Sequence, residues 1–326
     1  MIDKKIEELL IKICCTLELG EPSSVEKYDN RDDMYKATIG ENIYIIKQYN
    51  KEDIKDELEV NSRKLQISVF ESLSQNGVPT IIPCKFDNRY FIRYRKTYFL
   101  IYKYLPCELI SKKDYEPKKI KKVATTLAII HKLNFKSILP ESYQTVNIDF
   151  NKYLDKFKKI DENLYNALYE NIFNLEQLVN NYNSSLKYVQ NYLCISLKNY
   201  NYNNIYWDKD YVYLADYNNV VLANPAACLA EVAYTFALED DEINEDTYKE
   251  FLKAYIKKYG PLITDYQQAL SVASSSKIED LIDAMGRCSK NDTTSNNETI
   301  HLIRELTLYQ NYIDRFYELY LSVVKK

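Results

Sequence analysis

The sequence predicts an α+β protein of two parts, a β-rich first third and a mainly helical remainder. Three observations predict it. Short β-type runs separated by polar turns fill residues 24–104, and from about Glu116 the apolar periodicity becomes helical. The length, 326 residues, is too great for one core and comfortable for two coupled ones.

Residues 4–18 read as an amphipathic helix, with Ile6, Leu9, Leu10 and Ile13 on one face. Three strands follow, at 24–28, 35–39 and 42–49, with Gly40-Glu41 a tight hairpin turn between the last two. A helical stretch runs from about Asp53 to Ser74 and is stopped by Asn76-Gly77, with Pro79 just beyond. Two more strands, 90–94 and 97–104, are joined by a tight turn, and the second must end at Leu105-Pro106.

Val123, Leu127, Ile130 and Asn134 then fall at helical spacing, and residues 146–186 are helical and rich in charge. Short strands and loops return near 188–216. After Pro225 the pattern is helical to the end, with one polar break at 289–297. Five strands with one helix inserted after the third is the layout of a protein-kinase-like N-lobe. The predicted fold class is therefore α/β of the α+β kind, two-lobed and protein-kinase-like. Its N-lobe would span 1–104, with a five-stranded sheet and one long helix, and its helical C-lobe 105–326, with the catalytic loop at 193–218.

Composition excludes several classes. A net charge of −4 and a pI near 5.5 give no reason to expect nucleic-acid binding. The lysines at 112, 113, 118, 119, 121 and 122 read as a solvated helix face. The opening residues lack the basic-then-apolar pattern of a secretory signal, and no run is long enough to span a membrane. The expected product is thus made in the cytoplasm and takes no membrane partner. Seven scattered cysteines without a CxxC pair, and only two histidines, fit reduced thiols better than a zinc site. Thirty-two tyrosines stand out. They fit an AT-rich genome or a protein suited to oxidative tyrosine cross-linking, and composition does not choose.

Phosphoryl transfer is mostly positioning and charge neutralisation. It asks for a strand lysine on the α/β-phosphates, a helix carboxylate holding that lysine, a catalytic Asp, and an Asn and a second Asp for magnesium. Lys47 ends the apolar run Ile43-Tyr44-Ile45-Ile46 and is a candidate phosphate lysine. The stretch Leu197-Lys198-Asn199-Tyr200-Asn201-Tyr202-Asn203-Asn204-Ile205 precedes a turn at 208–210, a short strand, Asp216-Tyr217-Asn218, and then Asn224-Pro225-Ala226-Ala227.

This order resembles the aminoglycoside phosphotransferase and choline-kinase superfamily. There His-Gly-Asp is followed five residues on by Asn, then by a hairpin and an Ile-Asp-Trp/Tyr turn. Within it the chain is most similar to the CotS family of spore-coat proteins, whose members favour aromatic residues after the Asp, as Tyr200 and Tyr202 provide. Gly77-Val78-Pro79 leading to Pro83, the hinge-like 98–105 and the helix Leu127–Leu133 with His131 agree. The likeness covers roughly residues 20–240.

The resemblance implies these roles. Asn199 stands in place of the catalytic Asp, and an amide is far too weakly basic to accept a hydroxyl proton. Leu197 and Lys198 replace the His and Gly. Asn204 and Asp216 are the two magnesium positions, Gln66 falls where the lysine's Glu partner belongs (Glu59 or Glu71 after a slip), and Cys228 replaces a structural Asp. The loop at 29–33 has no glycine and three carboxylates that would repel phosphate. Lys198 could displace the metal by pairing with Asp216. His131 reads as a packing and hydrogen-bonding residue.

The expectation is a catalytically inactive, spore-coat-associated pseudokinase. It would act as a structural or assembly component and be deposited on the coat beside other coat proteins. No cofactor is expected, although Lys47, Asn204 and Asp216 leave residual Mg-ATP binding possible. An active small-molecule phosphotransferase and a nucleotide-binding switch remain the alternatives. The phosphate acceptor and oligomeric state are not legible.

Overall fold

Asp3 opens the first helix, α1 (Lys4–Thr16), by accepting the Lys5 N–H. In this computed structural model, residues 2–29, 31–50, 54–133, 143–198, 200–215, 220–290 and 292–325 are described. Strands β1 (Ser24–Lys27), β2 (Met34–Ile39), β3 (Asn42–Tyr49), β4 (Ile92–Tyr94) and β5 (Thr97–Lys103) make one antiparallel sheet in the order β1-β2-β3-β5-β4. Period-2 burial in β2 sends Tyr35, Ala37 and Ile39 inward, where they meet Leu10, Ile13 and Cys14 of α1 with Ile46, Phe99 and Ile101. Each large apolar side chain buried here contributes about 1.5–3 kcal/mol. Gly40 turns the β2–β3 hairpin at φ +58.

Helix α2 (Glu57–Gln75) starts later than expected because Asp56 is its N-cap, accepting the Glu59 N–H. It ends at Asn76 and Gly77, the latter at φ +83. Residues 90 and 91 lie outside β4, since a bridge between Phe86 and Arg89 precedes it.

The short β6 (Glu108–Leu109) pairs with β8 (Ile205–Asp208), which pairs with β9 (Tyr211–Leu214); β7 (Cys194–Leu197) lies between them in the chain. Leu214 also bridges Thr80. The chain accordingly divides into two compact units, one of residues 1–109 with 205–218, the other of 110–204 with 219–326. The hairpin that the sequence assigns to the C-lobe thus belongs to the first unit, because its hydrogen bonds run to 79, 81 and 108–109.

The second unit holds α3 (Pro117–Lys132), α4 (Phe150–Phe157), α5 (Glu162–Val189), β7 paired with β10 (Val220–Ala223), and α6 (Pro225–Ala237). After these come α7 (Glu245–Tyr259), α8 (Tyr266–Val272), α9 (Ser275–Cys288) and α10 (Asn296–Val324). The helical pattern expected after Pro225, with its one break at 289–297, is interrupted earlier by a small hairpin, β11 (Leu238–Glu239) with β12 (Glu242–Ile243). Asp240 and Asp241, both at positive φ, make its turn, a conformation that aspartate tolerates better than most residues. The polar break is real but shorter, and contains a helical turn at Thr293–Ser295.

Tyrosine serves this core. Tyr35, Tyr182, Tyr248, Tyr255 and Tyr309 are among the largest fully buried side chains. Their hydroxyls find partners: Tyr182 donates to the Gln144 carbonyl at 2.9 Å and Tyr309 to that of Leu270 at 2.7 Å.

Candidate functional site

In the first unit, Lys47 lies between Met34 and Leu100 in the sheet, its ammonium 5.0 Å from the Tyr49 ring centroid. The Arg63 guanidinium of α2 lies 5.0 Å from the same ring. Gln66 sits one turn further along α2. The two alternative helix carboxylates are engaged elsewhere: Glu71 pairs with Lys85 at 2.7 Å, and Glu59 accepts the Lys55 N–H at 2.7 Å.

Asp33 is the anion that bears on Lys47. Burial alone would raise its carboxyl, but hydrogen bonds and charge from Arg31, with Lys47 beyond, hold it below the usual carboxylate range. Arg31 grips Asp33 through Nε and Nη2, both at 3.0 Å, and Lys27 pairs with Asp32. So two of the three loop carboxylates expected to repel phosphate are paired with cations within the first unit, which weakens that repulsion. Asn30 in this loop lies outside the described residues.

In the second unit, β7 delivers Ser196, Leu197 and Lys198. The imidazole of His131 meets Tyr255 Oη at 2.6 Å through Nδ1 and Ser196 Oγ at 3.2 Å through Nε2. Ser196 Oγ in turn lies 2.9 Å from Cys228 Sγ. Burial pulls His131 down to about 3 and pushes the Cys228 thiol up to about 12, so both are neutral at ordinary pH. Where the resemblance has a charged Asp, the position is an inert thiol in a neutral network.

Lys198 forms an ion pair with Glu279 of α9. Asp216, its expected partner, and Asn199, in the base position, lie outside the described residues. The aromatic residues after them anchor the loop: buried Tyr200 donates to the Val123 carbonyl at 3.0 Å, and Tyr202 meets Phe236 edge-on at 6.5 Å. Asn204 closes the turn, its N–H reaching the Asn201 carbonyl at 3.1 Å. Lys47 and Gln66 therefore belong to the first unit, and Lys198 and Asn204 to the second.

Sequence reasoning missed Glu231. It is a lone carboxylate in the apolar run Pro225–Ala237, and that isolation was its signal. Asn224 sets the helix that carries it: its Oδ1 accepts the Ala226 and Ala227 N–H groups, while Nδ2 donates to Val189 O, Tyr192 O and Thr264 Oγ1. Glu231 and Lys198 line one pocket of about 20 Å³, room for about one water, with Glu279, Ser275, Ser276 and Tyr143. The Ser276 hydroxyl donates to Glu231. Burial pushes the Glu231 carboxyl up to about 7, against the pull of that hydrogen bond and of Lys277 and Lys198.

Among the described residues, no group of three or more His, Cys, Asp or Glu is placed to hold a metal, and no helix is long and apolar enough to cross a membrane. The oxygen donors that could serve a hard cation near the loop are Asn204 and, by sequence, Asp216.

No family model matches the sequence, and no curated protein matches it. Solved structures do. A spectinomycin phosphotransferase in complex with ADP and spectinomycin superposes with TM-score 0.68 at 13% identity, over 94% of this chain and 98% of that one. An amicoumacin kinase in complex with AMP-PNP, calcium and amicoumacin gives 0.63 at 11%, over 94% and 93%. A choline kinase from Streptococcus pneumoniae gives 0.56 at 15%, over 93% and 99%. At such identities the likeness is one of fold: an α+β, two-lobed, kinase-like chain with an antiparallel sheet first and a mainly helical remainder.

Proposed function

We propose that this chain is a kinase-fold protein that no longer transfers phosphate and acts as a structural or assembly component. The sequence resemblance suggests its setting, the coat of a bacterial endospore, among other coat proteins. One observation carries the reading. Lys198, standing where the active pattern has glycine, is committed to an ion pair with Glu279, and the next residue is an asparagine with no basicity to offer. The neutral His131–Ser196–Cys228 chain behind the loop fits a scaffold role.

Two of the structural neighbours were solved with ADP or AMP-PNP. Residual nucleotide binding through Lys47, with magnesium at Asn204 and Asp216, therefore belongs to this reading. A second reading, slow phosphotransfer with a displaced base, is favoured by Glu231, a carboxyl near neutrality in the same pocket as Lys198. Phosphotransfer assays on sugars, aminoglycosides and choline separate the two. The wild type is expected at background, with activity appearing only in the triple variant Leu197→His, Lys198→Gly, Asn199→Asp. Wild-type turnover on the order of 1–100 s⁻¹ would end the first reading; loss of that turnover in Glu231→Gln would support the second.

A further inference from the structure

At the end of β7, one ammonium has two carboxylates within a single small pocket. Lys198 is paired with Glu279, and the two side chains are 39% and 42% exposed. Glu231 lies deeper, with the Ser276 hydroxyl as its hydrogen-bond donor. We propose that Glu231 and Glu279 are alternative partners for Lys198, and that protonation of Glu231 selects between them.

The physical argument is one of desolvation. A protonated Glu231 is satisfied by a hydroxyl, which leaves Lys198 to Glu279. An ionised Glu231 is a half-buried anion whose side-chain donor is the Ser276 hydroxyl, and such a charge favours a nearby cation. The lysine in the same pocket is the available one, because its present pair is half-exposed and of the kind worth little. Lys277, the other lysine acting on Glu231, is already held by the buried Glu305 of α10 at 3.1 Å.

The thiol and phenols that face Glu231 stay neutral through neutrality. Cys228 on α6 and Tyr182 on α5 are each pushed up to about 12 by burial, and Tyr143 and Tyr309 are raised well above the ordinary phenol value by the same cause. Asp280 on α9 is raised chiefly by burial and opposes ionisation of Glu231. Burial places the Glu231 transition itself near neutral pH. Lys198 opens the loop that follows β7, so the exchange would draw the start of that loop inward as pH rises. This is a pH-responsive element independent of whether the chain has any phosphotransfer activity.

The test is an NMR titration from about pH 5 to about pH 9 of protein labelled with ¹³C at lysine and glutamate side chains. The Lys198 Cε signal is expected to move together with the Glu231 carboxyl signal, with a shared midpoint near neutrality. Glu231→Gln should abolish the Lys198 step, leaving the signal at its low-pH position. Glu279→Gln, a substitution at a half-exposed site that leaves the fold intact, should lower the Glu231 midpoint by freeing Lys198. A Lys198 step that persists in Glu231→Gln, or a Glu231 midpoint unmoved in Glu279→Gln, overturns the proposal. Neither readout involves turnover, so this test and the phosphotransfer assay fail separately.

Discussion

The His131 imidazole of α3 and the Tyr255 hydroxyl of α7 meet at 2.6 Å, both fully buried. Through its other nitrogen the same ring reaches Ser196 on β7. One histidine thus ties two helices to the strand that feeds the loop. His131→Phe keeps the bulk but strands the Tyr255 hydroxyl, at a cost of about 1–3 kcal/mol, while Ser196 keeps its contact with Cys228. Denaturant unfolding should show that loss.

The same residue sets an acid limit. Its folded pKa, about 3, lies below the 6.5 of an ordinary histidine, so the unfolded chain binds the proton first. Stability should therefore fall as pH drops below about 6.5, and continue falling toward about 3. That component should be missing from His131→Phe when the two proteins' stability curves are compared.

Glu231 acts in the opposite sense. Its folded pKa, about 7, lies above the 4.5 of an ordinary glutamate. The stabilisation from its protonated form is complete below the unfolded pKa and lost as pH rises through the folded one, by up to about 3 kcal/mol. Glu231→Gln should match wild type in acid and exceed its melting temperature above neutrality. A wild-type advantage at alkaline pH would contradict the assignment.

Asn224 is completely buried and uses both ends of its amide. Asn224→Asp retains the capping oxygen but turns a carboxylate toward the Val189 and Tyr192 carbonyls. It should destabilise by several kcal/mol, although Asp is an N-cap as good as Asn on an exposed helix. Asn224→Ala should lose a similar amount through the N–H groups and carbonyls it abandons. Thermal unfolding measures both, and a near-neutral Asp variant would refute the network.

Asp33 draws on the positive charge of Arg31 and Lys47. Asp33→Asn should release that charge and tighten ADP binding roughly tenfold, the scale of one partly screened charge interaction. Calorimetry with ADP reads the change directly. Equal affinities would mean that Lys47 does not serve a nucleotide.

Much of the first unit was legible because its signals are local. The expected third strand coincides with β3, Asn42–Tyr49, since a short apolar run bounded by Gly40-Glu41 and a polar exit fixes a strand by itself. The end of α2 at Asn76-Gly77 follows from one glycine's freedom at positive φ. The tyrosines were visible only as a count, whereas the structure shows many to be core residues whose hydroxyls satisfy buried carbonyls.

Long-range pairing was decided elsewhere. Nothing near residues 205–214 in the chain says that their hairpin bridges Thr80 and pairs with β6 at 108–109, because backbone hydrogen bonds carry no sequence label. Nothing near Lys198 names Glu279, 81 residues away, nor marks Glu231 as the carboxyl half-buried beside them. The sequence by itself determined the order of the five strands and the inserted helix of the first unit and the residue triplet Leu197-Lys198-Asn199, since both are written in adjacent residues. The charge state of the loop was left to tertiary structure, because a pKa depends on which groups the fold desolvates and which it brings together.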